Sequence, residues 1–82
     1  MSYQSHLEIG SVDVTFALER PRLIRLCTTF VGSGEVAEDL VQETLLEVWL
    51  HLDDLRDSSR FQQWLTGIAR NICLRSSRAR SF

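Results

Sequence analysis

The sequence predicts an all-α domain, and three observations carry the prediction. Large apolar residues recur at three- and four-residue spacing, most clearly in Phe61, Trp64, Leu65, Ile68, Ala69, Ile72 and Cys73. The one glycine cluster, Gly32-Ser33-Gly34, is helix-stopping rather than hairpin chemistry. No stretch alternates apolar and polar residues as a half-buried strand does, and no βαβ pattern is present.

A chain of 82 residues holds one domain with a small core, because a domain of that size buries only about 60% of the surface its unfolded chain exposes. With 44% hydrophobic and 24% charged residues the composition is that of a folded soluble protein and too apolar for a disordered one. No apolar run approaches the roughly 20 residues that span a bilayer, and residues 1–10 lack the basic start and apolar middle of a signal peptide. A cytoplasmic protein with no membrane partner is therefore expected. Cys27 and Cys73 lie far apart without metal-ligand spacing, so reduced, buried thiols are expected and no metal site.

The elements are taken in chain order. Residues 1–11 read as a flexible or short helical lead, and residues 12–82 as the domain. A first helix is predicted over 12–31, with Phe16, Leu23, Leu26, Cys27 and Phe30 on its apolar side. Pro21 removes a backbone donor inside it, which predicts a kink or a late start near Glu19. A second helix is predicted over 35–52, with Glu35, Glu38 and Asp39 near its N-terminus, where carboxylates complement the helix dipole. Its apolar stripe reads Val36, Leu40, Leu45, Val48, Trp49 and Leu52. A polar stretch over 53–60 leads into Ser59-Arg60-Phe61-Gln62, which fits a capping box. The third helix then runs from Phe61 to about Arg80, presenting Gln63, Arg70, Asn71, Leu74, Arg75 and Arg78 on the face opposite its apolar side. The expected architecture is a compact bundle of three main helices.

Charge is unevenly spread. Residues 35–57 contain Glu35, Glu38, Asp39, Glu43, Glu47, Asp53, Asp54 and Asp57 against Arg56 alone, whereas Arg60, Arg70, Arg75, Arg78 and Arg80 come after them without a single acid. Such a split suggests two surfaces for two partners, one cationic and one anionic, although two solvated helix faces would look the same. Every basic residue is arginine, which suits phosphate contacts.

Enzyme signatures are missing. There is no phosphate-cradling glycine loop, HExxH or nucleophile elbow. His6 and His51 read as surface residues, and nothing sets two carboxylates in an apolar pocket. No catalytic residue and no cofactor is expected. The second helix reads instead as a binding face. Asp39, Gln42, Glu43 and Leu46 share one side of it, and Leu46 and Leu50 fall off its apolar stripe. Acids around exposed leucines look like a docking surface for another protein, the other reading being a solvated face whose leucines tuck against the N-terminal segment.

Several motifs carry a family resemblance. Glu38-Asp39-Leu40-Val41-Gln42-Glu43-Thr44 with Val48-Trp49 after it resembles the core-binding stretch of extracytoplasmic-function sigma factors, usually close to E-D-L-V-Q-E-T-F-x-x-A-W. Phe61, Trp64-Leu65 and Ile68-Ala69-Arg70-Asn71 look like the family's F-x-x-W-L-x-x-I-A-R-N segment, and Arg20-Pro21-Arg22-Leu23 with Leu26 is similar to its R-P-R-L-L-R-L stretch. The likeness spans roughly residues 12–80, that is, region 2 of such a factor.

The resemblance implies a transcription-initiation domain, not an enzyme, that binds core RNA polymerase and recognises and melts the minus-ten promoter element. Asp39, Gln42, Glu43, Leu46 and Leu50 would dock on a coiled coil of the polymerase's largest subunit. The loop of Arg56, Asp57, Ser58, Ser59 and Arg60 would hold a base flipped from the non-template strand. Gln63, Arg70, Asn71, Arg75 and Arg78 would contact DNA beside it. An anti-sigma factor is a further implied partner.

Some positions depart from the family. Gln62-Gln63 stand where Arg-Thr is common, Arg75 where an acid is frequent, Ser76-Ser77 where a basic residue and a leucine are usual, Leu50 where arginine is frequent, and Asp57 where glycine is frequent. The second, helix-turn-helix domain of such factors, region 4, has no room before residue 82 and is expected to be missing. These departures keep open a second reading, a sigma-like interaction module that binds an anti-sigma factor or another partner without productive DNA contact.

Overall fold

The computed structural model describes residues 9–80, with side chains over 12–78. The expectation of a flexible or helical lead, like that of a surface His6, falls mostly outside the described residues. The order along the chain is α1 (Ile9–Val31), α2 (Gly34–Leu50), two 3-10 turns (Leu52–Asp54 and Ser58–Arg60) and α3 (Phe61–Arg80). No strand occurs among the described residues, as the periodicity predicts.

α1 is one unbroken helix, which overturns the late start near Glu19. Pro21 is exposed, and so is Ala17, whose carbonyl is the acceptor the proline leaves without a donor. On the solvent side that carbonyl can be hydrated, so the missing bond costs little and the helix continues. Gly32 ends α1 with φ 73°, the left-handed conformation that glycine adopts without a steric penalty. One residue later Ser33 caps α2, its Oγ accepting from the Val36 backbone N–H at 3.3 Å. So short a connection folds α2 back as the antiparallel neighbour of α1.

α2 stops two residues before the predicted end. His51 closes it, donating its backbone N–H to Glu47 O at 3.0 Å, and Leu52 leads into the first 3-10 turn while still packing on the core. The predicted capping box is also corrected. Asp57, not Ser59, caps the second turn: its Oδ1 accepts from Ser59 N at 3.0 Å and from Ser59 Oγ at 2.7 Å. Gln62 does not reach back, because its Nε2 donates across the bundle to Glu19 Oε2 at 3.0 Å.

The core joins all three helices. Val12, Phe16, Leu23 and Cys27 from α1 meet Ala37, Leu40, Val41 and Val48 from α2 and Phe61, Leu65, Ala69, Ile72 and Cys73 from α3. On α2 the buried line is rotated from the predicted stripe toward Ala37, Val41 and Thr44, while Val36, Leu45, Trp49 and Leu52 are only partly buried. Thr44 is fully buried, and its hydroxyl is satisfied by donating to Leu40 O at 2.8 Å.

The two cysteines are buried as expected, but they are not reduced. Cys27 and Cys73 form a disulfide between α1 and α3, their Cα atoms 5.6 Å apart. That separation lies inside the roughly 4.4–6.8 Å a disulfide spans. Pairing of Glu19 with Gln62 and of Cys27 with Cys73 shows that α1 and α3 run in the same direction. Forty-six residues of sequence separate the cysteines, so only the packing of these two helices brings them together.

Candidate functional site

Two outer faces with opposite chemistry stand on this core. On α2, Glu35, Glu38, Asp39, Gln42, Glu43, Leu46 and Leu50 are all exposed. The two leucines are 60% and 74% exposed, so they do not tuck under any described segment. Asp39, Gln42, Glu43 and Leu46 share one side of the helix as predicted, with Leu50 one turn beyond Leu46. At its end His51 lies between Glu47 Oε1, 3.5 Å from Nε2, and Asp54 Oδ2, 3.4 Å from Nδ1. The half-exposed ring is therefore a surface group, as expected.

The second face is concave where α3 begins. A groove of about 540 Å³ is lined by Asp54, Leu55, Arg56, Asp57, Arg60, Gln63 and Trp64. The chain builds it by turning twice in quick succession, first at Leu52–Asp54 and then at Ser58–Arg60, so that the segment between the turns faces the first two turns of α3. The Asp57 cap holds the second turn. Phe61, buried, meets Trp64 with ring centroids 6.0 Å apart and planes tilted by 45°, which anchors the tryptophan as a half-buried wall.

Of the residues expected to face DNA, the groove gathers Arg56, Asp57, Arg60 and Gln63. Ser58 and Ser59 form the capped turn and do not line it. Arg70, Asn71, Arg75 and Arg78 are exposed farther along α3, continuing a basic surface away from the groove. Asp54, Leu55 and Trp64 are lining residues that the sequence pattern does not single out. Spacing counts Trp64 only with the apolar side of α3; its position at the edge of that stripe is the signal that it could serve core and groove together.

Behind the start of α3 lies a polar network. Arg22 Nε donates to Glu19 Oε1 at 2.6 Å, and Glu19 Oε2 accepts from Gln62. The bond from Arg22, then that from Gln62, holds the Glu19 carboxyl below the usual carboxylate range despite its partial desolvation. Among the described residues no group of three or more His, Cys, Asp or Glu side chains is placed to hold a metal ion, and no helix is long and apolar enough to cross a membrane.

An all-helical domain with an acidic leucine-bearing helix on one side and a basic groove on another is the architecture met in factors that join a protein to a nucleic acid. The chain belongs to the sigma-70 region 2 family, whose model matches residues 15–82. It is 44% identical over 55 residues to the ECF RNA polymerase sigma factor SigG of Mycobacterium tuberculosis, a match covering 67% of this chain and 15% of the relative. It is 38% identical over 61 residues to the ECF RNA polymerase sigma factor SigL of the same organism, covering 73% and 34%. A third relative, the ECF RNA polymerase sigma factor EcfG of Rhodopseudomonas palustris, is 36% identical over 52 residues, covering 63% and 29%. The matched part is thus about a third or less of the length of these relatives. No solved structure matches the chain.

Proposed function

We propose that this chain is the domain of an extracytoplasmic-function sigma factor that docks on core RNA polymerase through α2 and holds melted promoter DNA through the loop groove and α3. The polymerase would carry the chemistry of RNA synthesis, and the domain would act beside it in the cytoplasm. Support comes above all from the groove itself. Arg56 and Arg60 supply cations for phosphate, Trp64 an aromatic wall on which an unstacked base can lie, and Gln63 an amide able to meet a base edge. A base enters such a groove only once it has left the duplex, which suits the non-template strand of an opened minus-ten element.

On α2, the acids would steer the encounter with a basic partner surface while Leu46 and Leu50 anchor it. A coiled coil of the largest polymerase subunit is the partner this reading favours. An anti-sigma factor covering the same face would silence the domain by competition.

Co-purification with core polymerase tests the docking half: wild-type chain is retained, and Gln42→Ala with Glu43→Ala weakens retention. Transcription by core polymerase from a pre-opened promoter bubble tests the whole reading. Retention without any stimulation of bubble transcription would leave a protein-interaction module and overturn the promoter role.

A further inference from the structure

A second groove opens on the other side of Gln63. It measures about 350 Å³, lies between α1 and α3, and is lined by Arg22, Gln62, Gln63 and Thr66. Gln63 is a wall of both grooves, so they adjoin along the start of α3. The chemistry of this lining is one-sided: a guanidinium, two amides and a hydroxyl, with no carboxylate among them. Glu19 takes Arg22 Nε and the Gln62 amide without lining the groove itself, which fixes both groups at its edge. Arg22 Nη2 is buried and meets no acceptor, and a buried donor left unpaired favours any ligand oxygen that reaches it. Thr66 Oγ1 donates to Gln62 O at 2.8 Å, so it turns an acceptor outward. One helical turn beyond Thr66, on the same flank, stands the exposed Arg70.

Resting on the proposed role of the loop groove, we infer that the α1–α3 groove is a second nucleotide subsite on the same single strand of DNA. The strand passes from the Arg56–Arg60 loop over Gln63 into this groove and on toward Arg70. Arg22 meets the phosphodiester, while Thr66 and the amides of Gln62 and Gln63 face the sugar and base edge. The first subsite thus gains a neighbour, and α1 gains a part in DNA binding through Arg22. It also accounts for two glutamines at the start of α3: one is pinned by Glu19 and the other divides the two subsites.

The test is fluorescence anisotropy of the 82-residue chain with labelled oligodeoxythymidylate strands, lengthened one nucleotide at a time at either end. Wild type should gain affinity when the strand grows long enough to enter the second groove, by about tenfold, the effect of one charge-assisted hydrogen bond. Arg22→Met should lose that step and lower the slope of log affinity against log salt by roughly 0.7, as for one phosphate on a single strand. Thr66→Leu fills the groove without altering charge, and should lose the step while keeping the slope set by the loop. Circular dichroism melting of each variant separates loss of binding from loss of fold. If short strands bind but lengthening gives the same gain in wild type and both folded variants, the second subsite is overturned and the loop groove stands. If no strand binds the wild type at all, both readings fall.

Discussion

The outer faces of α2 and α3 are built from the same kind of helix and do opposite things. α2 presents a convex face, with carboxylates around two leucines that nothing in the described chain covers. α3 presents a face continued by a loop into a concavity, with arginines and an aromatic wall. A convex apolar patch rimmed by charge suits a protein partner, which can bring its own complementary surface. A narrow basic groove suits a thin flexible strand. The difference lies less in composition than in the connection that leads into each helix. α2 starts directly after the short Gly32-Ser33 stop, whereas α3 is preceded by two turns that fold a wall beside it.

Both faces rest on a shared support, and the support can be cut. The disulfide ties α1 to α3 and leaves α2 outside the link. Reduction, or Cys73→Ala, should lower unfolding free energy by about 2–4 kcal/mol, read in urea melts with and without reductant. Under partly destabilising conditions DNA binding by α3 should fade before polymerase docking by α2. Equal melts in both redox states would show that the link contributes nothing.

A smaller change should separate the faces. Leu46→Asp with Leu50→Asp removes both exposed leucines, and should weaken retention on core polymerase by at least about thirtyfold if they are interface anchors worth roughly 2 kcal/mol. Because both side chains are exposed, stability should move by no more than about 0.5 kcal/mol, and single-strand affinity should not change. From the other side, Arg75→Ala and Arg78→Ala should each cost a few-fold in DNA affinity and about one unit of salt slope, with polymerase retention unaltered.

The smallest effect concerns Glu19, whose lowered pKa means that its bonds to Arg22 and Gln62 stabilise the fold when it is ionised. That contribution is present above the ordinary carboxylate value of 4.5 and is lost as pH falls through the lower folded value. Glu19→Gln should therefore flatten the acid limb of stability measured from about pH 6 down to about pH 3, and leave neutral DNA binding by the loop groove in place.

Much of this was legible in the chain itself. Periodicity determined the helical class and the apolar side of α3, because a buried face imposes a 3.6-residue repeat on any sequence that makes one. Gly32 and Ser33 determined the turn between α1 and α2, since stop and cap chemistry is local. Charge order determined that two surfaces differ, and the stray leucines marked the docking face. Three things waited for tertiary structure. Pairing of Cys27 with Cys73 depends on α1 and α3 lying side by side, which no local pattern encodes. The cap passed from Ser59 to Asp57 once Gln62 was drawn across the bundle to Glu19, a long-range bond outcompeting a short one. Both grooves are spaces between elements, so Trp64 and Arg22 became groove residues only when their helices were placed against the loop and each other. A sequence specifies what each residue can do locally; which residues share a cavity is decided by packing.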